Sequence, residues 1–112
     1  MLDRIATALE RYMDVLSARQ KIVAGNIANA DTPGYKTRDL AFRGELEALI
    51  SGGAPEPVEV AGLRTRNDGN NVSLDREARL LAENALRFNL AANLLRSQIR
   101  AVRGAIQEGR NT

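Results

Sequence analysis

The stretch that decides the fold is residues 74–109, LDREARLLAENALRFNLAANLLRSQIRAVRGAIQEG. Its apolar side chains recur alternately four and three residues apart, at Leu74, Ala78, Leu81, Ala85, Phe88, Ala92, Leu95, Ile99, Val102 and Ile106. This spacing is typical of a helix whose apolar seam packs against another helix. Ser73 or Asp75 can cap its start and Gly109 can end it, so the pattern predicts a helix over residues 73–109.

The beginning of the chain has the same periodicity. The stripe is interrupted only by Gln20 and consists of Leu2, Ala6, Leu9, Met13, Leu16, Gln20, Val23, Ile27 and Ala30. Pro33 disfavours helical backbone at Thr32, and Gly34 accepts the positive φ of a type II turn. These signals predict a first helix over residues 1–31.

The segment 32–72 is a turn and loop region rich in glycine, proline and asparagine. A short helix around residues 42–50 is one alternative within it. Another is a β-hairpin in which a strand begins at Val58, turns at residues 67–71 and returns through Val72. Both alternatives remain open from the sequence.

The two periodic segments predict a mainly α fold. Two long terminal helices would form an antiparallel coiled-coil hairpin with a loop-rich middle, in a single elongated domain over residues 1–112. The composition supports this interpretation, because aromatic residues make up only 4% of the chain. Alanine and leucine suit helix interfaces, whereas compact cores usually contain larger aromatic anchors.

Both helices carry apolar residues outside their seams, namely Ile5, Tyr12, Val15, Ile22, Leu86, Leu90 and Leu94. A two-helix hairpin covers one stripe per helix, and an exposed leucine row is a sticky patch. The sequence therefore predicts oligomerisation or partner helices. We expect the assembly interface to involve Leu9, Leu16, Val23, Ile27, Phe88, Leu95, Ile99 and Val102.

The composition argues against several classes of function. With no His and no Cys, the chain lacks the commonest general base and the commonest transition-metal ligands, so no catalytic, metal or cofactor-binding residues are assigned. No stretch approaches the ~20 apolar residues of a membrane span, and the N-terminus has no apolar signal-peptide core. Mixed charges on the first helix argue against direct lipid binding.

A basic face on the second helix carries Arg96, Arg100 and Arg103. Nucleic-acid binding usually also needs aromatic stacking residues, which are scarce here. A solvated face or an acidic partner helix is therefore the favoured interpretation, and no nucleic-acid partner is expected.

The segment that joins the first helix to the loop has a distinct pattern. Asn26 and Asn29 share a face of the last helical turns, so their amides can bond terminal carbonyls or a neighbouring backbone. Tyr35 is placed to pack back on the helix end. We expect this connection to be shaped by Asn26, Asn29, Thr32, Pro33, Gly34 and Tyr35.

These residues carry a family resemblance. The pattern Asn-x-x-Asn-x-x-Thr-x-Gly-Tyr resembles the N-terminal signature of the flagellar rod and hook proteins. Within that family, residues 30–42 are similar to the proximal basal-body rod proteins. A second block, residues 68–84, resembles the start of the C-terminal helix of those proteins. The region 50–66 is short, so the chain is smaller than typical members.

The resemblance implies a structural subunit of the flagellar basal-body rod that joins the membrane ring and export gate to the distal rod. Such subunits are exported without a cleaved signal peptide and assemble helically through their terminal helices. The implied partners are copies of the same chain, other rod proteins, a membrane-ring protein and a small adaptor at the export gate. An alternative from another class is a soluble helical-hairpin adaptor or regulator that dimerises in the cytoplasm.

Overall fold

The computed structural model describes residues 2–41, 44, 47, 51–52 and 56–110. Its elements, in chain order, are helix α1, strands β1 and β2, and helix α2, with the bounds Leu2–Ala28, Arg38–Leu40, Pro57–Glu59 and Leu74–Arg110.

The two long helices pack against each other in opposite directions. Asn26 near the end of α1 bonds to Glu77 near the start of α2, whereas Leu16, further back on α1, faces Asn84 and Phe88. The molecule measures 72 × 26 × 17 Å and its radius of gyration is 18.6 Å. A compact domain of about 100 residues has a radius near 13 Å. The predicted mainly α fold with an antiparallel pair of long helices is confirmed.

The helix ends are set by local hydrogen bonds. Helix α1 ends at Ala28, short of the predicted residue 31. At this end the Asn29 amide donates to the carbonyls of both Gly25 and Asn26, at 3.1 and 3.2 Å, and the Asn29 Nδ2 also donates to the Gly25 carbonyl at 2.8 Å. At the start of α2, the Arg76 amide donates to the Ser73 hydroxyl at 3.3 Å, so Ser73 is the capping residue.

The middle of the chain contains a two-stranded antiparallel sheet. Strand β1 pairs with β2 so that Asp39 lies opposite Val58. The strand predicted at Val58 is therefore present, but the predicted return through residues 67–71 and Val72 is wrong. Of the helix predicted around 42–50, only residues 44 and 47 are described, and both are helical.

The returning strand does not form because side chains hold that segment elsewhere. The Oδ1 of Asn71 accepts a hydrogen bond from the Thr37 amide at 2.6 Å, and the Asn71 amide donates to the Tyr35 carbonyl at 3.3 Å. Val72 is buried, with 6% of its surface exposed. The segment before α2 thus packs on the turn after α1, and the edge of β2 pairs with β1.

The buried face of α2 differs from the predicted apolar stripe. Its buried residues are Glu77, Asn84 and Ala91, which recur every seven positions. Several members of the predicted stripe are instead half-exposed, among them Leu74, Phe88, Ile99 and Ile106. The helix itself is as predicted, but the face that it buries is shifted by about one residue from the predicted apolar stripe. The physical reason is the hydrogen bond from Asn26 to Glu77, which fixes the rotation of α2 at the closed end of the hairpin.

Candidate functional site

The closed end of the hairpin is organised around Asn26, which is completely buried. Its Nδ2 donates to the Arg38 carbonyl at 2.7 Å and to the Glu77 Oε2 at 3.0 Å. Its Oδ1 accepts from the Tyr35 hydroxyl at 3.0 Å and from the Arg38 amide at 3.1 Å. One side chain therefore connects α1, the following turn, β1 and α2 with all four of its bonding positions in use.

Asn29 and Thr32 shape the turn that follows. The Thr32 hydroxyl donates to the Asn29 Oδ1 at 3.1 Å, and the Thr32 amide donates to the Asn29 carbonyl at 3.0 Å. Pro33 is exposed at the tip. These local bonds turn the chain after the end of α1.

The second sequence block docks onto this turn through Asn70. Its Nδ2 donates to the carbonyls of Asn29 and Thr32, both at 2.9 Å, and its Oδ1 accepts from the Val72 amide at 2.8 Å. Asn70 is completely buried. The sequence pattern predicted no contact for Asn70. The signal was its place in the second block, directly after a turn glycine.

Two glycines let the turns approach each other. Gly34 has φ 75° and Gly69 has φ 84°, a region that other residues adopt at a cost. The Gly34 amide donates to the Asp68 carbonyl at 2.8 Å. A Cβ at Gly69 would lie 3.2 Å from the Gly34 Cα. Both positions therefore need glycine for conformation, and Gly69 also needs it for space.

A network of charged side chains lies beside Asn26. Asp39 on β1 accepts from Arg19 on α1 through both carboxylate oxygens, at 2.9 and 3.0 Å. Arg76 on α2 donates to Asp39 at 2.7 Å and to Glu77 at 2.7 Å. This network joins both helices to the sheet, and Glu77 is fully buried within it.

The ionisation of Asp39 depends on this network. Burial raises the pKa of its carboxyl group, but the hydrogen bond and charge of Arg19, the Leu40 amide and Arg76 together outweigh burial. The net effect lowers the pKa of Asp39 below its ordinary value. The carboxylate therefore stays charged and paired at neutral pH.

The residues predicted for the assembly interface fall into two groups. Leu16 and Val23 are buried between α1 and α2, with 1% of each side chain exposed, so they belong to the core of the hairpin. The half-buried and exposed members are Leu9, Ile27, Phe88, Leu95, Ile99 and Val102. The side chains of the second group are therefore the members of the predicted interface that another chain could contact.

Further apolar side chains of α2 lie outside its buried face. Leu86, Leu90 and Leu94 are 71%, 59% and 48% exposed. They recur every four residues and form one row, which we call the leucine row. Scattered exposed leucines are ordinary, but a continuous row on one helix is typical of a surface that another protein covers.

The described part of the chain offers no other chemistry of note. Within it, no group of acidic side chains is arranged to hold a metal ion. None of its described helices is long and apolar enough to cross a membrane. The described residues form a polar junction at one end of a hairpin, with apolar surfaces along its length.

Comparison with known proteins agrees with this geometry. Residues 7–36, which span most of α1 and the signature turn, match the family model described as flagella basal body rod protein. The chain is 34% identical to the flagellar basal body rod protein FlgB of Salmonella typhimurium, over 97% of the chain and 99% of that protein. It is 32% identical to FlgB of Borrelia hermsii, over 82% of the chain and 87% of that protein.

The fold and the junction place the chain in the class of elongated helical-hairpin proteins. The chain belongs to the family of flagellar basal body rod proteins, and within it to the FlgB proteins. The alignment with the Salmonella protein extends over 137 residues, more than the 112 of this chain. The relative therefore contains residues that this chain lacks.

Proposed function

We propose that this chain is a structural subunit of the flagellar basal-body rod that assembles helically through its two long helices. The observation that carries the proposal is the Asn26 junction. It is built from the signature residues that lie inside the matched family region, and its hydrogen bonds fix the direction and rotation of α2 against α1. A rigid hairpin of this kind presents the same surfaces in every copy, as a helical assembly requires.

The apolar surfaces support packing between subunits. The α1–α2 pair covers only one face of α2 and leaves the leucine row, Phe88 and Ile99 in contact with solvent. Covering such rows by neighbouring helices removes apolar area from water, which stabilises an assembly by ~25 cal/mol per Å². In this proposal the exposed members of the predicted interface contact neighbouring subunits, and Leu16 and Val23 keep the hairpin straight.

Membership of the rod-protein family supports the partners and the location that we propose. We place the chain in the periplasm-spanning rod, reached by export without a cleaved signal peptide. It would join the membrane-ring protein and a small adaptor at the export gate to the other rod proteins, and it would also contact copies of itself. Its role is mechanical, and we assign it no enzymatic activity and no cofactor.

The experiment is deletion of the gene in its host, with swimming assays and electron microscopy of isolated basal bodies. The proposal predicts non-swimming cells whose basal bodies have rings but no rod. Restoring the gene on a plasmid should recover both swimming and rods, which controls for effects on neighbouring genes. Swimming cells with intact filaments would contradict the proposal and favour a cytoplasmic adaptor.

A further inference from the structure

Two amide side chains between α1 and α2 have buried atoms without a hydrogen-bond partner. Asn84 on α2 is 1% exposed, and among the described residues neither its Nδ2 nor its Oδ1 is bonded. On α1, the Oε1 of Gln20 is also buried and unbonded within the described part of the chain. Buried polar groups are usually bonded, because leaving them unbonded destabilises the fold. Three such atoms at one helix interface therefore need an explanation.

The two amides lie at the same level of the hairpin. Both line a groove between α1 and α2 that has a volume of about 300 Å³. The bond from Asn26 to Glu77 gives an independent measure of the level. Gln20 precedes Asn26 by six residues on α1, a rise of about 9 Å, and Asn84 follows Glu77 by seven residues on α2, a rise of about 10.5 Å. Because the helices run in opposite directions, both steps lead away from the closed end to nearly the same height.

A reciprocal amide pair would satisfy all three unbonded atoms at once. A side-chain amide has a donor and an acceptor next to each other, so two amides can exchange two hydrogen bonds. In such a pair the Nδ2 of Asn84 donates to the Oε1 of Gln20, and the Nε2 of Gln20 donates to the Oδ1 of Asn84. The Gln20 side chain is long and borders the groove, so it has room to turn toward Asn84.

We propose that Gln20 and Asn84 form this amide pair and that the pair fixes the register of α2 against α1 in the middle of the hairpin. The buried residues of α2 recur every seven positions, at Glu77, Asn84 and Ala91. Sliding α2 by one repeat keeps the same face buried, so burial of that face does not by itself select a register. A slide toward the closed end places Ala91 opposite Gln20, whose amide then has no partner.

The hairpin thus has two polar levels that select the same register. Asn26 bonds Glu77 at the closed end, and Gln20 bonds Asn84 in the middle. A buried polar pair adds little net stability, but it disfavours every register in which one partner meets an apolar side chain. The same role accounts for the single glutamine that interrupts the apolar stripe of α1.

The first test is a double-mutant cycle on the full chain. Gln20→Ala, Asn84→Ala and the combined variant are unfolded in urea and followed by circular dichroism. Each single variant leaves one amide buried without its partner, whereas the combined variant removes both amides. We therefore expect the combined loss in the folding equilibrium constant to be about fivefold smaller than the product of the two single losses.

The matched control for the cycle combines Gln20→Ala with Asn93→Ala. Asn93 is an exposed amide on the same helix, so the two losses in this control should multiply. A combined loss for Gln20→Ala and Asn84→Ala that lies within about twofold of the product would overturn the pair.

The second test determines the register by cysteine cross-linking, because the natural chain has no cysteine. Asn26→Ala removes the bond at the closed end, so in that background the amide pair has to hold the register. Ser17→Cys is combined on one chain with Ala85→Cys, which lines the same groove, or with Ala92→Cys, one seven-residue repeat further along α2. A short thiol-specific cross-linker then reports which position of α2 lies opposite residue 17.

The amide pair predicts different links with and without its two side chains. In the Asn26→Ala chain, the link within one molecule should form with Ala85→Cys and about tenfold less with Ala92→Cys. Adding Gln20→Leu and Asn84→Leu should raise the share of the shifted link about tenfold, because leucines pack in either register. An unchanged ratio of the two links would overturn the role in register. The cycle retains the natural junction, so it decides the proposal if the Asn26→Ala chain does not fold.

Discussion

Replacing Asn26 with alanine should remove most of the stability of the hairpin's closed end. The side chain is completely buried and makes four hydrogen bonds, to Tyr35, to Glu77 and to both backbone groups of Arg38. Each bond contributes about 1 kcal/mol net, and buried partners left unbonded cost more. Asn26→Ala should therefore lower the free energy of unfolding by about 3–5 kcal/mol, a large part of the stability of a small protein.

The assay is urea unfolding of the purified chain, followed by far-ultraviolet circular dichroism. Asn93→Ala is the matched control, because Asn93 is exposed and its described bond is to the neighbouring Arg96. That control should change the unfolding free energy by less than about 0.5 kcal/mol. Asn26→Asp keeps the size of the side chain but sets a carboxylate against Glu77, so it should also destabilise strongly.

A change below about 1 kcal/mol for Asn26→Ala would refute the reasoning, because it would mean that the four bonds do not hold the junction. An equal loss in the Asn93→Ala control would also refute it. In that case, the loss of stability would not be specific to the junction, since alanine is the better helix former at both positions.

Three further predictions concern other parts of the hairpin. Leu95→Asp places a charge at a half-buried position of the proposed assembly interface and should abolish swimming, because an unpaired charge there opposes packing against a neighbouring subunit. Stability should fall on acidification below about pH 4, because the pKa of Asp39 is lowered in the folded state; Asp39→Asn should flatten that part of the pH profile. Backbone amides in residues 103–110, whose side chains are all exposed, should exchange with solvent quickly in the isolated chain and slowly in assembled rods.

Each of these predictions has a contrary outcome. The control for Leu95→Asp is Gln107→Asp, which changes an exposed position and should leave swimming intact. Normal swimming by Leu95→Asp would contradict the proposed packing at Leu95. The pairing of Asp39 with Arg19 and Arg76 is present above the ordinary aspartate pKa and is lost as pH falls through the lowered value. If the stability of Asp39→Asn depends on pH in the same way as that of the natural chain, the acid sensitivity arises from another group. Slow exchange at residues 103–110 in the isolated chain would indicate a partner within the same molecule.

The long helices were predictable because their periodicity extends over many turns. The four-three spacing of apolar residues identified α1 and α2 without any tertiary information. The rotation of α2 was not predictable in the same way. Hydrophobicity alone would bury Leu74 and Ile99, but the bond from Asn26 to Glu77 turns a face containing Asn84 inward. A single buried polar contact thus outweighs a regular apolar stripe at the hairpin's closed end.

The middle segment was less predictable because its strands are only three residues long. A strand of that length carries no periodic signal, so the pairing of Val58 with Asp39 depends on tertiary contacts. The signature turn was easier to interpret, since asparagine and glycine have specific backbone roles there. The pairing of Asn70 with that turn required the structure, because 41 and 38 positions separate it from Asn29 and Thr32.

The most direct test of the central claim is to locate the protein in the cell. An epitope tag inserted after Gly52, on an exposed turn, leaves both helices unchanged, and gold-labelled antibody then marks the tag in purified basal bodies. Our account predicts label on the rod in a strain whose swimming is preserved. Label found only in the cytoplasmic fraction, with basal bodies unmarked in cells that swim normally, would contradict it.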